Sequence, residues 1–323
     1  MLSPLLLGIG FAVSLFRADR TLSGAASRPA RSVLILNGAA LAEQAHTGQL
    51  RAEGVEAVFR NIDELAMVIG TGGVRIYETV DGRDLADFGL IQAASYPPPT
   101  ATLLNAIAAY LDYQKVRSAN IAGIGAPTKL LQYVCLAQAG LAVPATRYLP
   151  TPLLRCAYPI LADTLGQPFV LKSLRPSRGP SSLITSQSAF AARLGSVDDT
   201  CAIFLAQEFI PTDTTLRLFV FGHQASVTVQ RNCLGMNPAL RGPTFNPSAN
   251  ATAVDPAAQR LAARAAAVMG FDIASVDLAR HWTTGRWYVL EVSATPPICT
   301  GDLATDKLRA YSSYLQRRTR QRD

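Results

Sequence analysis

Two carboxylates near the C-terminus are the residues whose spacing most suggests chemistry. The segments Ala274–Arg280 and Trp287–Val292 are rich in β-branched and aromatic residues, and the polar stretch His281–Arg286 separates them. This pattern predicts two strands joined by a turn. Apolar alternation along the two strands then places Asp277 directly opposite Glu291.

Two acids in this position repel each other. Directly opposed residues have Cβ atoms about 5 Å apart, and at an effective dielectric constant of 20 the repulsion at 4 Å is about 4 kcal/mol. A divalent cation between Asp277 and Glu291 would offset this cost. Oxygen-only ligands indicate Mg²⁺, which proteins hold with one or two carboxylates plus substrate phosphates. The alternative is an ordinary hairpin with one exposed carboxylate and one salt bridge.

The same register makes predictions for the rest of the hairpin. On the polar face it places Ser275 opposite Ser293. The opposite face should be apolar, with side chains from both strands: Val276, Leu278, Tyr288, Leu290 and Val292.

Composition restricts the class of protein. The 323 residues are 49% hydrophobic, which is enough for two domains or one large α/β unit. The net charge of +7 fits an anionic substrate such as a nucleotide. The five cysteines are scattered without a CxxC pair, which argues against a zinc site or a disulfide framework. We therefore expect a reducing compartment, the cytoplasm. We expect neither nucleic acid nor a membrane as a partner.

The first residues differ in composition from the globular pattern that follows them. Met1–Phe16 is apolar but short for a membrane span, and no basic residue precedes it. A mis-called start codon, a peripheral helix and a weak anchor are the three interpretations, and we favour the first two.

From residue 31 onwards, strands and helices alternate as in an α/β protein. A buried strand at Ser32–Leu36 precedes an Ala-rich helix and a second strand, which predicts a parallel sheet. A further short strand is predicted at Asn120–Gly125. The Asn-, Pro- and Gly-rich stretch Arg231–Ala253 is typical of a loop, and Asp302–Gln316 is typical of a helix followed by a basic tail.

Lysines and small residues could bind phosphate. Lys172 lies within the apolar strand Pro168–Leu174, where an unpaired ammonium is costly and an anionic ligand would offset that cost. Snorkelling to solvent is the alternative for Lys172, and a plain surface position is the alternative for Lys129. Backbone N–H groups around Ser177, Gly179 and Ser181 could face a phosphate; the alternative is a mobile turn.

Five short motifs occur in an order that resembles a known family. They are PTKLLQYVCLAQAGLAVPATRY, PFVLKS, QEFIP, LRLFVFG, and VDL followed by LEVSATPP and TGDLA. Together they resemble the ATP-grasp ligases, most closely the branch with glutathione synthetase and the ribosomal-protein glutamate ligases, which we call RimK-like. The resemblance covers roughly Asn120–Gln316 and extends more loosely to the preceding domain.

The resemblance implies a fold and a domain order. We expect an α/β protein in which an N-terminal parallel-sheet domain precedes a two-lobed ATP-grasp fold, with an α+β lid. The implied units are a leader (1–30), the substrate-side domain (31–125), the small lid (126–199), the large subdomain (200–316) and a basic tail (317–323).

The resemblance also implies roles for individual residues. Arg217 and Arg231 would act on the transferring phosphoryl group, and Asp277, Glu291 and Ser293 would hold the metal. The expected nucleotide-binding residues come from the helix, strand, loop and hinge motifs: Lys129, Lys172, Ser177, Gly179, Ser181, Gln207, Glu208, Phe209, Ile210 and Asp213.

The implied activity is an ATP-dependent carboxylate–amine ligase that works through an acylphosphate. Its cofactors would be ATP and Mg²⁺, with Mn²⁺ as a substitute, and its substrates would be a carboxylate and an amine on an amino acid, a peptide or a protein terminus. A homodimer or tetramer is compatible with the resemblance. Two departures, Ser293 for the usual asparagine and Thr215 for the usual aspartate, leave a non-catalytic ATP-binding module open. An ATP-grasp kinase of small molecules is a further alternative.

Overall fold

The computed structural model describes residues 32–37, 44–71, 73–94, 101–121, 128–174, 181–195, 204–237, 242–245, 249–250 and 255–320. Within these ranges the chain forms eight α-helices and sixteen strands. The apolar segment Met1–Phe16 lies outside the described residues.

The N-terminal unit is built on a parallel sheet, as predicted. Its strand order is β2-β1-β5-β6, with bounds Ser32–Leu36 (β1), Glu56–Arg60 (β2), Leu90–Ala93 (β5) and Ser118–Ala119 (β6). All five residues of β1 are buried, because both faces of a parallel sheet are covered. The flanking elements are helices Gln44–Ala52 (α1) and Ala101–Tyr113 (α2) and an antiparallel hairpin, Leu65–Gly70 (β3) and Gly73–Glu78 (β4).

The strand predicted at Asn120–Gly125 is wrong at its first residue, and residues 122–125 lie outside the described part of the chain. Strand β6 ends at Ala119, and Asn120 has a φ of 56°, which breaks the extended backbone. Its buried side-chain amide donates to the carbonyls of Ile273 and Ala294, at 2.6 and 3.0 Å, and accepts from the Ile273 N–H at 3.1 Å. Asn120 therefore joins the N-terminal sheet to the C-terminal part of the chain.

The second unit is a small lobe, which we call the lid. Its sheet is antiparallel with the order β7-β10-β8-β9, formed by Thr146–Tyr148 (β7), Phe169–Ser173 (β8), Ser182–Ile184 (β9) and Phe204–Glu208 (β10). Helices Thr151–Arg155 (α4), Tyr158–Leu165 (α5) and Gln187–Gly195 (α6) complete it. Because β10 pairs with β8, this sheet extends past residue 199, where the sequence placed the boundary of the lid.

The third unit is a larger antiparallel sheet with the order β13-β12-β11-β15-β16. Its strands are Thr214–Phe221 (β11), Gln224–Asn237 (β12), Gly242–Phe245 (β13), Ala249–Asn250 (β14, paired with β12), Ile273–Arg280 (β15) and Trp287–Ser293 (β16). The β11–β12 turn has positive φ at both Gly222 and His223, as a two-residue hairpin turn requires. A Cβ on Gly222 would lie 2.9 Å from the ring of Tyr314.

The loop prediction for Arg231–Ala253 is wrong over much of its length. Strand β12 continues to Asn237 and pairs with β13 and β14. Turn-forming residues dominate the composition of this stretch, but pairing in the sheet overrides local propensity.

The two faces of the large sheet are covered differently. One face, with Leu216, Leu218 and Val276, packs on helices Lys129–Gln138 (α3) and Pro256–Val268 (α7). On the other face, Phe219 and Phe221 pack against helix Ala304–Arg320 (α8). Residues two apart on a strand share a face, so Arg217 and Asp277 belong to the α8 face but lie beyond the part that the hydrophobic core covers.

Helix α8 connects the large sheet to the N-terminal unit. It packs against both sheets, and the Tyr311 hydroxyl hydrogen-bonds Gln92 in the interface. The helix continues to Arg320 rather than ending at Gln316, so part of the predicted basic tail is helical. Helix α8 thus covers the part of the large sheet that carries Phe219 and Phe221.

Candidate active site

A cavity of about 310 Å³ lies between the lid and the large sheet. That volume is typical of a small-molecule site. Its lining brings together most of the residues that the sequence selected: Lys129, Lys172, Ser181, Gln207, Glu208, Phe209, Ile210, Arg217, Arg231, Asp277 and Glu291.

The two acids occupy the predicted positions. Asp277 and Glu291 are direct partners across β15 and β16, and Ser275 pairs with Ser293. Both carboxylates line the cavity together with Lys172 of the lid. The opposed pair and its proximity to the lid lysine are therefore features of the structure.

The register changes just beyond the acid pair. Asp277 pairs with Glu291 but Leu278 pairs with Val289, so Leu290 is an extra residue in a bulge. Val289 is fully buried in the core, whereas Leu290 lines the cavity. The predicted apolar face is wrong at Leu290 and Tyr288 for this reason, since beyond the bulge Val289 and Trp287 take the buried positions.

Protein cations compensate the acid pair. Arg217 lies opposite Asp277 on β11 and donates from Nε and Nη2 to the two carboxylate oxygens, each at 2.7 Å. The Lys129 ammonium lies 2.8 Å from Glu291 Oε1. The repulsion expected from the sequence is thus offset by side chains, and the pair does not by itself require a metal ion.

The donor set still fits Mg²⁺. Asp277, Glu291 and Ser293 share one face of the hairpin and offer only oxygen ligands. Ser293 lies outside the cavity lining, where its Oγ accepts from the Thr295 N–H at 3.3 Å. In the described part of the chain, no three His, Cys, Asp or Glu residues cluster as a complete metal site. Phosphate oxygens would therefore have to supply further ligands.

Lys172 projects from β8 into the cavity. Its Nζ donates to the Tyr133 hydroxyl at 2.8 Å. Burial, with a smaller contribution from the charge of Lys129, lowers the pKa of Lys172 to about 8. A phosphate would favour the charged form and raise this pKa again. The polarity of the site is therefore suited to an anion.

The cavity is also lined by apolar side chains and by the hinge after β10. Val170, Leu183, Ile210 and Leu216 line it, and the Glu208 N–H is bonded to the Ala145 carbonyl at 2.8 Å. Glu208 Oε2 also accepts from the Ala145 N–H at 3.0 Å. The hinge is thus held against β7, and apolar side chains of the kind that pack on a nucleobase line the same cavity.

Some predicted site residues lie elsewhere. Asp213 is exposed in the turn before β11 and does not line the cavity, whereas Thr212 and Thr215 do. Arg231 reaches the cavity from the position opposite Thr215 on β12. The predicted residues Ser177 and Gly179 lie outside the described residues, in contrast to Ser181.

Comparison with known proteins agrees with this arrangement. Residues 126–306 match the sequence family described as RimK-like ATP-grasp domain, which is more than half of the chain. The chain belongs to this RimK-like family. A probable alpha-L-glutamate ligase 2 from Hahella chejuensis (strain KCTC 2396) is 28% identical over 184 residues, which cover 55% of this chain and 58% of that relative. The RimK-like match thus spans little more than half of the relative's length.

Solved structures share the fold of the RimK-like chain. The ATP-grasp ligase PsnB complexed with minimal precursor is 17% identical with a TM-score of 0.65, covering 88% of this chain and 98% of that one. A RimK domain protein from Sphaerobacter thermophilus DSM 20745 is 21% identical with a TM-score of 0.57, again covering 88% and 98%. Other PsnB structures contain Mg and ADP, or a precursor peptide and AMPPNP.

Sequence reasoning missed two residues of the RimK-like chain that lie beside the cavity lining. Helix α3 begins at the N-cap Thr128 and carries Lys129, Gln132 and Tyr133 on one face. Gln132 Oε1 accepts from the Val292 N–H at 3.1 Å, and the Tyr133 hydroxyl meets Lys172. Their spacing of three and four residues from Lys129 was the available signal.

None of the described helices is both long and apolar enough to cross a bilayer.

Proposed function

We propose that the chain is an ATP-dependent carboxylate–amine ligase that forms an amide through an acylphosphate. One observation carries the proposal: two opposed carboxylates, two lysines and two arginines line one cavity together with apolar side chains and the hinge after β10. That lining suits a nucleoside triphosphate, whose base would pack on the apolar side chains and whose phosphates would lie among the charges. RimK-like family membership supports the same reaction class.

The proposed reaction needs no protein nucleophile. An oxygen of the substrate carboxylate attacks the γ-phosphorus of ATP, the bond to the β-phosphate oxygen breaks, and ADP leaves. The amine nitrogen then attacks the acyl carbon of the acylphosphate. Inorganic phosphate leaves, the nitrogen loses a proton, and an amide remains. Catalysis is positioning plus stabilisation of charge.

Individual residues would serve these steps as follows. Lys129 and Lys172 would bind the phosphates, and Arg217 and Arg231 would stabilise charge on the transferring phosphoryl group. Asp277, Glu291 and Ser293 would hold Mg²⁺, which when bound neutralises phosphate charge. The N-terminal sheet, joined to the large sheet by Asn120 and α8, would shape the substrate side. The division of the chain into a leader, a substrate-side domain, a lid, a large subdomain and a tail belongs to the same proposal.

The comparisons support two kinds of acceptor. A relative named as a probable glutamate ligase supports an amino acid, and PsnB structures with precursor support a peptide. The scattered cysteines and the requirement for ATP support a reducing compartment such as the cytoplasm.

The test is product stoichiometry. The full chain is incubated with ATP, Mg²⁺ and a panel of amino acids and peptides, and ADP, phosphate and amide are quantified, the last by mass spectrometry. We expect equal amounts of the three products with at least one pair. Tight ATP binding without ADP formation for any acceptor would favour a non-catalytic module, and a phosphorylated alcohol would favour a kinase.

A further inference from the structure

The hydroxyl of Tyr133 contacts three residues that line the cavity. It accepts from Lys172 Nζ of the lid at 2.8 Å and donates to the Leu290 carbonyl of β16 at 2.6 Å. Gln207 Oε1 of the hinge strand lies 3.3 Å away. The side chain itself is 6% exposed and belongs to α3, the helix that carries Lys129.

The direction of these hydrogen bonds is fixed. A phenol has one hydrogen and can donate only one strong bond, and the Leu290 carbonyl is the nearer acceptor. Gln207 is oriented by its own amide, which donates to Thr146 Oγ1 at 2.8 Å. With its hydrogen directed at β16, the Tyr133 oxygen presents lone pairs to the Lys172 ammonium.

The charged groups around Lys172 do not provide an equivalent bond. Lys129 on α3 opposes its charge, while Glu291 on β16 and Asp277 on β15 favour it from a distance. Glu291 and Asp277 are themselves paired with Lys129 and Arg217. Glu208 at the end of β10, Arg217 on β11 and Arg231 on β12 complete the charged lining. The Tyr133 hydroxyl is a neutral acceptor, so it can fix the position of the Lys172 ammonium among the other cations without neutralising the charge of that ammonium.

We propose that Tyr133 is a positioning residue that holds the Lys172 ammonium toward the phosphates of the bound nucleotide. The proposal rests on the proposed function, because it assigns Lys172 to phosphate binding. Through the Leu290 carbonyl the same hydroxyl is tied to the residue that precedes Glu291. The lid lysine and the acid pair are therefore held in one frame, and the lid is linked to the large sheet.

Tyr133→Phe tests the proposal because it removes one oxygen and keeps the ring. Without its acceptor the ammonium loses a charge-assisted hydrogen bond, so ADP affinity measured by calorimetry should fall about tenfold. Tyr110→Phe is the matched control: Tyr110 is also 6% exposed and its hydroxyl donates to Asp84 at 2.7 Å in the N-terminal unit. This control should lose thermal stability but keep the ADP affinity of the wild-type protein.

A double-mutant cycle shows whether Tyr133 acts through Lys172. On a Lys172→Met background, Tyr133→Phe should change ADP affinity less than twofold. ADP affinity should decline as rising pH removes the proton from Lys172. In Tyr133→Phe this decline should occur at lower pH than in the wild-type protein, because the ammonium has lost its acceptor. A merely structural role of Tyr133 would not produce this shift. Equal ADP affinity of wild type and Tyr133→Phe, or an undiminished effect without Lys172, would overturn the proposal.

Calorimetry separates this outcome from failure of the proposed function. If the wild-type protein binds ADP but forms no amide, the ligase proposal fails and the Tyr133 comparison stands on binding alone. If the wild-type protein binds no ADP, both proposals are overturned.

Discussion

Arg217 and Asp277 face each other across β11 and β15 and form a two-point ion pair, with Nε and Nη2 each 2.7 Å from a carboxylate oxygen. Both side chains are about one-quarter exposed, at 29% and 27%. The pair fixes the orientation of the Asp277 carboxylate before any ligand binds. A ligand that draws on Asp277 must therefore share it with Arg217.

Replacing the guanidinium should show the value of this geometry. Arg217→Lys keeps the charge but loses the planar fork that makes two parallel bonds. We expect the free energy of unfolding to fall by about 1–3 kcal/mol, measured by urea denaturation, and ligase turnover to fall at least tenfold.

Arg309→Lys on the exposed side of α8 is the control for this substitution. Arg309 forms an ion pair with the neighbouring Asp306, at 3.2 Å. The exposed pair contributes little, so this variant should resemble the wild-type protein. Wild-type stability and turnover in Arg217→Lys would contradict a structural role for the two-point pair.

Nucleotide binding should take up a proton at alkaline pH. In the free protein, burial and then the charge of Lys129 lower the pKa of Lys172 to about 8. At pH 9 this lysine is mostly neutral, and bound phosphates that raise its pKa would return the proton. ADP affinity should therefore decline as pH rises above about 8.

Titration calorimetry at pH 9 in two buffers with different ionisation enthalpies measures this proton. We expect different apparent heats for the wild-type protein and equal heats for Lys172→Met. Equal heats for the wild-type protein would show that the ammonium does not recharge on binding.

The bulge at Leu290 separates two neighbouring positions that differ in role. Val289 is 0% exposed in the core of the large sheet, so Val289→Ala should cost about 2–3 kcal/mol of stability. Leu290 lines the cavity, so Leu290→Ala should raise the KM for ATP several-fold with a smaller loss of stability. Thermal unfolding and steady-state kinetics on both variants measure these two effects. A larger stability loss in Leu290→Ala and a larger rise in KM in Val289→Ala would place the bulge elsewhere.

The sequence predicts some features of this site and not others, for physical reasons. The pairing of Asp277 with Glu291 was predictable, because period-two alternation and a polar turn fix a hairpin register. The bulge was not, because an apolar residue at position 290 fits either face. The partners Arg217 and Lys129 were also hidden, since long side chains reach across elements that the sequence keeps far apart.

The fold shows the same division. The buried run at Ser32–Leu36 reads directly as a central parallel strand, and the structure has it with those bounds. Helices α4 and α5 escaped prediction because Pro152 and Pro159 look like helix breakers, although proline is well tolerated in the first turn of a helix. The hairpin of Leu216–Phe221 with Ala225–Gln230 was predictable, but the part of β12 beyond Gln230 was not, because its pairing partners and not its composition extend it to Asn237.

The most direct test of the central claim is whether the opposed acids hold the metal–nucleotide complex. Mn²⁺ replaces Mg²⁺ as a paramagnetic probe, and its binding with ADP is followed by electron paramagnetic resonance in wild-type protein, Asp277→Asn and Glu291→Gln. We predict nucleotide-dependent immobilisation of Mn²⁺ in the wild-type protein, its loss in both variants, and loss of turnover while each variant keeps its fold. Wild-type immobilisation and near-normal turnover in either variant would contradict the assignment.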